Sequence, residues 1–347
     1  MNEFVSYDAV NTKLKSRKSF LLTHADFSRM LECSDVKQII TYISKKEAYQ
    51  MFLNEQDKSS EIHRNDLEVA LCRTIVYEIE KMLYFMSGAY KDFFKLLIQI
   101  YELRDIELMI RALIRGNPPD KNIHKYFIHS SKYATVDFDK LSEANDIINF
   151  TNAIRGSIYY PTIRSIDKDD LKVSEWHLEM KINTAYYKLL KEKAKKLQEK
   201  DKIIAMRMIG ERIDRLNVEW IYRAKRYYEL PSEEVLLYSL GKGYKISYER
   251  LKKLCYAEDM IKFRLLANKY LGAQIFLENN ELLEKRLDNL FYNKLLQTEN
   301  LEGVGNLMAY IYTLEIDQKD IVAIIEGLRY QLNKDEIKTY LINNIKV

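Results

Sequence analysis

The sequence contains little glycine and proline, with 10 glycines and 4 prolines in 347 residues, about a third of their average share. Hairpins, bulges and glycine-rich phosphate loops need the positive φ of glycine or the fixed turn geometry of proline. This scarcity disfavours an all-β sandwich and a glycine-looped nucleotide-binding fold. Apolar residues instead recur three and four positions apart, as at Leu103, Ile106 and Ile110, which predicts an all-α protein.

The sequence also has few cysteines, no long hydrophobic run and no large excess of charge of one sign. Cys33, Cys72 and Cys255 lie far apart, with the spacing of neither a zinc site nor a disulfide framework. No stretch resembles a membrane span or a secretion signal, and the net charge of +4 is too small for a dedicated nucleic-acid binder. We therefore expect a cytoplasmic chain that does not insert into a membrane and does not bind nucleic acid.

The residue patterns typical of catalysis and metal binding are missing as well. The five histidines form no HExxH motif and no pair four residues apart. There is no G-x-S-x-G elbow and no Walker-type phosphate loop. The nearest candidate for magnesium binding, Asp167 to Asp170, has no further acid one turn on and is typical of a solvated helix start. We expect no catalytic residue, no metal and no cofactor.

What the sequence does contain is an internal repeat at a shift of about 110 residues. Three landmarks occur three times each, in constant order. The first has a small residue, then Asp two positions later, then an apolar residue, and it recurs at 33–36, 144–147 and 257–260. The second is Leu-Glu on an amphipathic helix, at 67–68, 178–179 and 283–284. The third comprises Glu102, Asp105 and Arg111; Asp214, Asn217 and Arg223; and Asp317, Asp320 and Glu326.

The repeat divides the chain into three helical lobes, 1–130, 131–244 and 245–347, each long enough to bury a core of its own. Three similar lobes either close around an axis, leaving a central concavity, or extend as an open superhelix. The third lobe departs from the other two. Its first two landmarks are 25 rather than 33 residues apart, and Glu326 stands where the others have arginine.

Two polar features have alternative interpretations. The third landmark is either a partner interface or a set of helix caps and ion pairs within each lobe, of which we favour the second. The candidate interface residues are Glu102, Asp105, Arg111, Asp214, Asn217, Arg223, Asp317 and Asp320. The lysine-rich segment 188–202 is typical of a hydrated helix face, although an acidic partner or a nucleic acid would also fit it.

The ordered sum of several short motifs resembles a known family, the C subunit of V/A-type rotary ATPases, which is the prokaryotic counterpart of the eukaryotic d subunit. The resemblance spans essentially the whole chain. It rests on Tyr7, the segment 14–17 with Leu21 and Leu22, the Leu-Glu helices at 178 and 283, Asp214 with Asn217 and Arg223, and the segments 321–327 and 332–337.

The resemblance implies a funnel of three helical lobes without an active site. Such a protein sits on the proteolipid rotor ring of the membrane, receives the central shaft in its socket and transmits torque between them. The expected partners are therefore the shaft subunits and the ring, and the expected location is the cytoplasmic surface of a membrane-bound complex. The alternative function is a helical-repeat adaptor that binds RNA or protein, motivated by the lysine-rich segment.

Overall fold

The computed structural model describes residues 3–19, 21–53, 62–114, 122–164, 175–277, 280–298 and 303–342. Throughout these ranges the regular structure is helical and there is no β-strand. The predicted all-α class is therefore confirmed for this part of the chain. The acidic segment 167–170 lies outside the described residues. No helix within these ranges is long and apolar enough to span a membrane.

Helices occur in a similar order in each of the three predicted lobes. The first lobe contains α1 (Glu3–Lys18), α2 (His24–Leu31), α3 (Val36–Ile43), α4 (Gln50–Leu53), α5 (Arg64–Leu83), α6 (Gly88–Ile114) and a 3₁₀ turn (Ile123–Tyr126). The second contains α7 (Phe138–Ser142), α8 (Ile147–Ala153), α9 (Tyr160–Ile163), α10 (Glu175–Ala194), α11 (Glu199–Tyr227) and α12 (Ser232–Leu237). The third contains α13 (Tyr248–Cys255), α14 (Met260–Leu271), α15 (Leu283–Thr298), α16 (Val304–Arg329) and α17 (Lys334–Thr339).

The aspartates of the first landmark are helix N-caps. Asp35, Asp146 and Asp259 have extended backbones and precede α3, α8 and α14. Each side chain accepts a hydrogen bond from the amide three residues on, at 2.8, 2.8 and 2.6 Å. The apolar residues four positions after each aspartate, namely Ile39, Phe150 and Phe263, are fully buried. Each landmark therefore begins a helix and anchors it in the core.

The long helices connect the lobes. α6 packs against α10, α11 packs against α15 and α16, and α16 packs against α5. Each predicted lobe therefore contacts both of the others through its long helices. The apolar core is not divided by lobe: one cluster runs through the first lobe, much of the second and α16, and a second cluster surrounds the end of α11 together with α13 and α14.

The last helix begins with a reciprocal pair of side-chain caps. The side chain of Asn333 accepts a hydrogen bond from the Glu336 amide at 2.9 Å, and the Glu336 carboxylate accepts one from the Asn333 amide at 3.0 Å. This capping box satisfies two amides that the helix leaves unpaired. It fixes the start of α17, which lies against α16.

Candidate partner-binding cavity

The second residue of each third-landmark pair holds a loop that follows its own long helix. Both carboxylate oxygens of Asp105 accept from the Ile128 amide, at 3.0 and 2.9 Å. The Asn217 side-chain oxygen accepts from the Leu240 amide at 2.9 Å, and Asp320 accepts from the Ile342 amide at 2.7 Å. The chain separations are 23, 23 and 22 residues, so the same local link occurs in each lobe.

The first residue of each pair links its lobe to the next. Glu102 accepts from the Thr135 amide at 2.5 Å, and Asp214 from the Ile246 amide at 3.0 Å. The Leu22 backbone lies near Asp317 and favours its ionised form, so the predicted third lobe approaches the first. We call Glu102, Asp214 and Asp317 the junction carboxylates.

All three junction carboxylates contact the chain just before the first short helix of the following lobe. Leu22 and Ile246 immediately precede the N-caps Thr23 of α2 and Ser247 of α13. Thr135 lies two residues before the corresponding N-cap Asp137 of α7. Each contact therefore lies just before the start of a short helix.

The three junction carboxylates, together with Asp105, Asn217 and Asp320, are almost inaccessible, at 2% exposure or less. Burial raises the pKa of Glu102 and of Asp214, although backbone amides lower it in part. Burial and the nearby Asp320 raise the pKa of Asp317 well above its usual range. Their contacts within the chain favour the structural alternative for these six residues.

The two arginines of the landmark differ from the acids because they remain partly exposed. The Arg111 side chain is 38% exposed, and its Nε lies 2.8 Å from Glu179 Oε1 on α10. The Arg223 side chain is 47% exposed and lies 3.8 Å from Glu219. Arg111 also lies 3.8 Å from Glu107 on its own helix, so it has an ion pair within its predicted lobe and another with the next. An interface role for these arginines stays a prediction.

A cavity of about 970 Å³ lies between α5, α6, α11, α15, α16 and α17. We call it the charged cavity, because many of its lining residues are ionic. The cations are Arg64, Arg104, Arg212, Arg215, Lys285 and Lys319, and the carboxylates are Glu68, Glu284, Asp288, Glu315 and Glu326.

The sequence did not predict which residues line this cavity. The available signal was a set of charged residues within otherwise apolar long helices, such as Glu315 and Lys319 of α16.

Ion pairs organise the inner wall of the cavity. The Arg212 guanidinium lies 3.0 Å from Glu315, to which the Tyr101 hydroxyl also donates at 3.0 Å. Burial alone would raise the pKa of Glu315, but Arg212 and Arg104 outweigh it and hold that pKa below its usual value. Burial likewise opposes ionisation of Asp288, yet Arg215 and Lys319 lower its pKa to about 2. Both carboxylates are therefore charged at neutral pH.

Aromatic and charged side chains stand at the more exposed parts of the lining. Tyr330 is 74% exposed and Tyr340 is 41% exposed. Arg64, which is exposed, and Glu68, which is half-buried, form an ion pair at 2.7 Å. Tyrosine is well suited to a contact surface because its ring buries area while its hydroxyl tolerates water. The lining therefore supplies charged and aromatic side chains that could contact a partner. Within the described ranges no cluster of His, Cys, Asp and Glu fits a metal ion.

The lysine-rich segment lies at the end of α10 and the start of α11. Several of its lysines have carboxylate partners: Lys193 with Asp92 at 2.8 Å, Lys195 with Glu192 at 2.8 Å and Lys202 with Glu199 at 2.9 Å. This pairing agrees with a hydrated helix face.

Comparison with known proteins gives a consistent result. The family model described as "ATP synthase (C/AC39) subunit" matches residues 10–340. The C subunit of the A-type ATP synthase of Methanosarcina acetivorans is 22% identical, over 97% of this chain and 93% of the relative. That of Methanocaldococcus jannaschii is 21% identical, over 98% of this chain and 87% of the relative. These matches give no support to the adaptor alternative.

Proposed function

Since this chain belongs to the ATP synthase (C/AC39) subunit family, we propose that it is the non-catalytic central-stalk component of a V/A-type rotary ATPase or ATP synthase. In this role it joins the central shaft to the proteolipid ring of the membrane and transmits torque between them. It lies at the cytoplasmic surface of the membrane as part of the complex. The proposal rests chiefly on one observation, a charged cavity bounded by long helices from all three predicted lobes.

The size of the cavity suits the end of a helix. A helix with its side chains is about 10 Å across and rises 5.4 Å per turn. The cavity volume of about 970 Å³ therefore corresponds to roughly two helical turns. The proposed occupant is the tip of the shaft, with the tyrosines and ion pairs of the lining around it.

A torque-bearing socket also needs walls that do not separate. The Asp317 contact with Leu22 joins the third lobe to the first. A second link lies nearby in sequence, where Arg17 Nε of α1 donates to Glu78 at 2.8 Å and the Tyr310 hydroxyl of α16 donates to the same carboxylate at 3.0 Å. Because close-packed protein interiors transmit strain, these links support a closed funnel of three lobes rather than an open superhelix.

Site-directed crosslinking in the native complex tests the proposal. Tyr340→Cys places a thiol at the cavity and Lys188→Cys places one on the exposed outer face of α10, both in a Cys33→Ser background because Cys72 and Cys255 are buried. We expect Tyr340→Cys to crosslink to a shaft subunit and Lys188→Cys not to do so, as read by mass spectrometry. Purification of the chain without any shaft or ring subunit would refute the proposed function.

A further inference from the structure

Two cations of the charged cavity have no carboxylate partner among the described residues. Arg64 pairs with Glu68 at 2.7 Å, Arg212 with Glu315 at 3.0 Å, Arg215 with Asp288 at 2.5 Å and Lys319 with Asp288 at 2.6 Å. No carboxylate in the described part of the chain lies within the 4.0 Å ion-pair distance of Arg104 or Lys285. The cavity therefore offers positive charge that no direct ion pair of these residues compensates.

Two of the nearby carboxylates, Glu315 and Asp288, are already engaged, while Asp320 and Glu284 also attract Lys285. Glu315, the strongest attractive charge on Arg104, accepts from both Arg212 and Tyr101. Asp288 is shared between Arg215 and Lys319. Burial lowers the pKa of Lys285, since a partly desolvated ammonium loses hydration that no ion pair replaces. Desolvation opposes the charge of Arg104 as well, but the attraction of Glu315 together with smaller attractions outweighs it and raises the pKa of Arg104. An incoming anion would therefore stabilise Lys285 more than Arg104.

The uncompensated charge is distributed unequally around the cavity. Arg104, Leu216 and Lys319 occupy the same place in the three lobes, each two residues after its junction carboxylate, and all three line the cavity. The first predicted lobe places a guanidinium there, which lies over the Tyr101 ring without a direct ion pair to a described carboxylate. The second places an apolar side chain and the third a lysine paired with Asp288. Lys285 adds an unpaired ammonium from α15 of the third lobe.

We propose that the shaft tip seated in this cavity carries carboxylates that pair with Arg104 and Lys285 and face away from Leu216, so that charge fixes one rotational register between the shaft and this chain. This inference rests on the proposed function. It specifies the chemistry of the partner, which is an acidic helix end. The difference between Arg104, Leu216 and Lys319 at equivalent positions of the predicted lobes would then set the rotational register. Electrostatic complementarity of this kind selects orientation by penalising the mismatched ones.

Neutral substitutions separate this role from a structural one. In Lys285→Met the isolated chain should melt at the same temperature or higher, because the change removes a desolvated charge that lacks a direct ion pair. Arg104→Gln should lower the melting temperature, because Arg104 stabilises the buried charge of Glu315. Binding of co-expressed shaft subunits should fall at least tenfold for the double variant, and its dependence on salt should become shallower. The conservative pair Lys285→Arg and Arg104→Lys should keep at least half of the binding. Lys188→Gln, on the exposed outer face of α10, is the matched control and should change neither quantity.

The outcomes distinguish the inference from the function. If the wild-type chain captures neither shaft nor ring subunits, the proposed function fails. If the wild type captures them and the double variant captures them equally well, the function stands and the inference is overturned. A Lys285→Met variant that melts several degrees lower in parallel with its loss of binding would also overturn the inference, because that cation would then be structural.

Discussion

At the scale of single residues, Glu107 carries a definite pH dependence. It is nearly buried on α6, and the Asn183 side chain donates to it at 2.7 Å. Burial and the nearby Glu179 raise the pKa of Glu107 from 4.5 to about 7. The unfolded chain therefore releases this proton at lower pH than the folded chain, and stability falls as pH rises from about 4.5 to about 7.

Glu107→Gln should remove the loss of folding stability that accompanies a rise in pH from about 4.5 to about 7. A shift of this size corresponds to as much as about 3 kcal/mol, so the variant should unfold at higher urea concentration than the wild type at pH 8. It should match the wild type at pH 4, where the glutamate is protonated in both states. Glu143→Gln, an exposed position, is the control and should change little at either pH. An equal effect of Glu107→Gln at pH 4 and pH 8 would show that packing, not ionisation, is responsible.

At the scale of helices, the three N-cap aspartates offer a test of whether the lobes are equivalent. Asp35→Ala, Asp146→Ala and Asp259→Ala each remove the same cap geometry from a helix of similar placement. Each should lower the free energy of unfolding by about 1 kcal/mol, while the Asn variants should retain most of it because Asn also caps well. Denaturant unfolding measures these values. A negligible cost at only one of the three positions would argue against a common repeated element.

Many of the helix starts could be predicted from the sequence, because each depends on residues that are close together in the chain. An Asp followed by apolar residues fixes a helix start within four residues, so the pattern at 35, 146 and 259 indicated structure directly. The partners of the third landmark were not predictable in the same way. Asp320 accepts its hydrogen bond only when the fold brings the Ile342 amide next to it. Asp317 likewise meets Leu22 only in the folded chain. The cavity residues were equally hidden, because Arg212 or Glu315 alone resembles a solvated helix charge.

At the scale of the whole molecule, Arg111 and Arg223 remain the exposed part of the predicted interface. The double variant Arg111→Glu, Arg223→Glu should weaken recovery of the assembled complex more than it lowers the melting temperature. Partly exposed ion pairs contribute only about 0 to 1 kcal/mol to stability, so the fold should tolerate the change. Affinity purification and thermal unfolding measure the two effects.

A matched charge reversal controls for net charge in that experiment. Lys37→Glu with Lys188→Glu alters two exposed lysines by the same total charge and should leave recovery unchanged. Equal losses of recovery and melting temperature in the arginine variant would instead assign both arginines to structural ion pairs. The inter-lobe contact of Arg111 with Glu179 at 2.8 Å would then be their main role.

The contact between Asp317 and Leu22 also has a consequence for biosynthesis. The two residues are separated by 317 − 22 = 295 positions. At about 5 to 20 residues per second, a ribosome needs roughly 15 to 60 s to pass from one to the other. The amino-terminal segment therefore emerges long before Asp317 is synthesised. Completion of the native structure has to wait until translation is almost finished, and a chaperone that shields the early segment would have this interval in which to act.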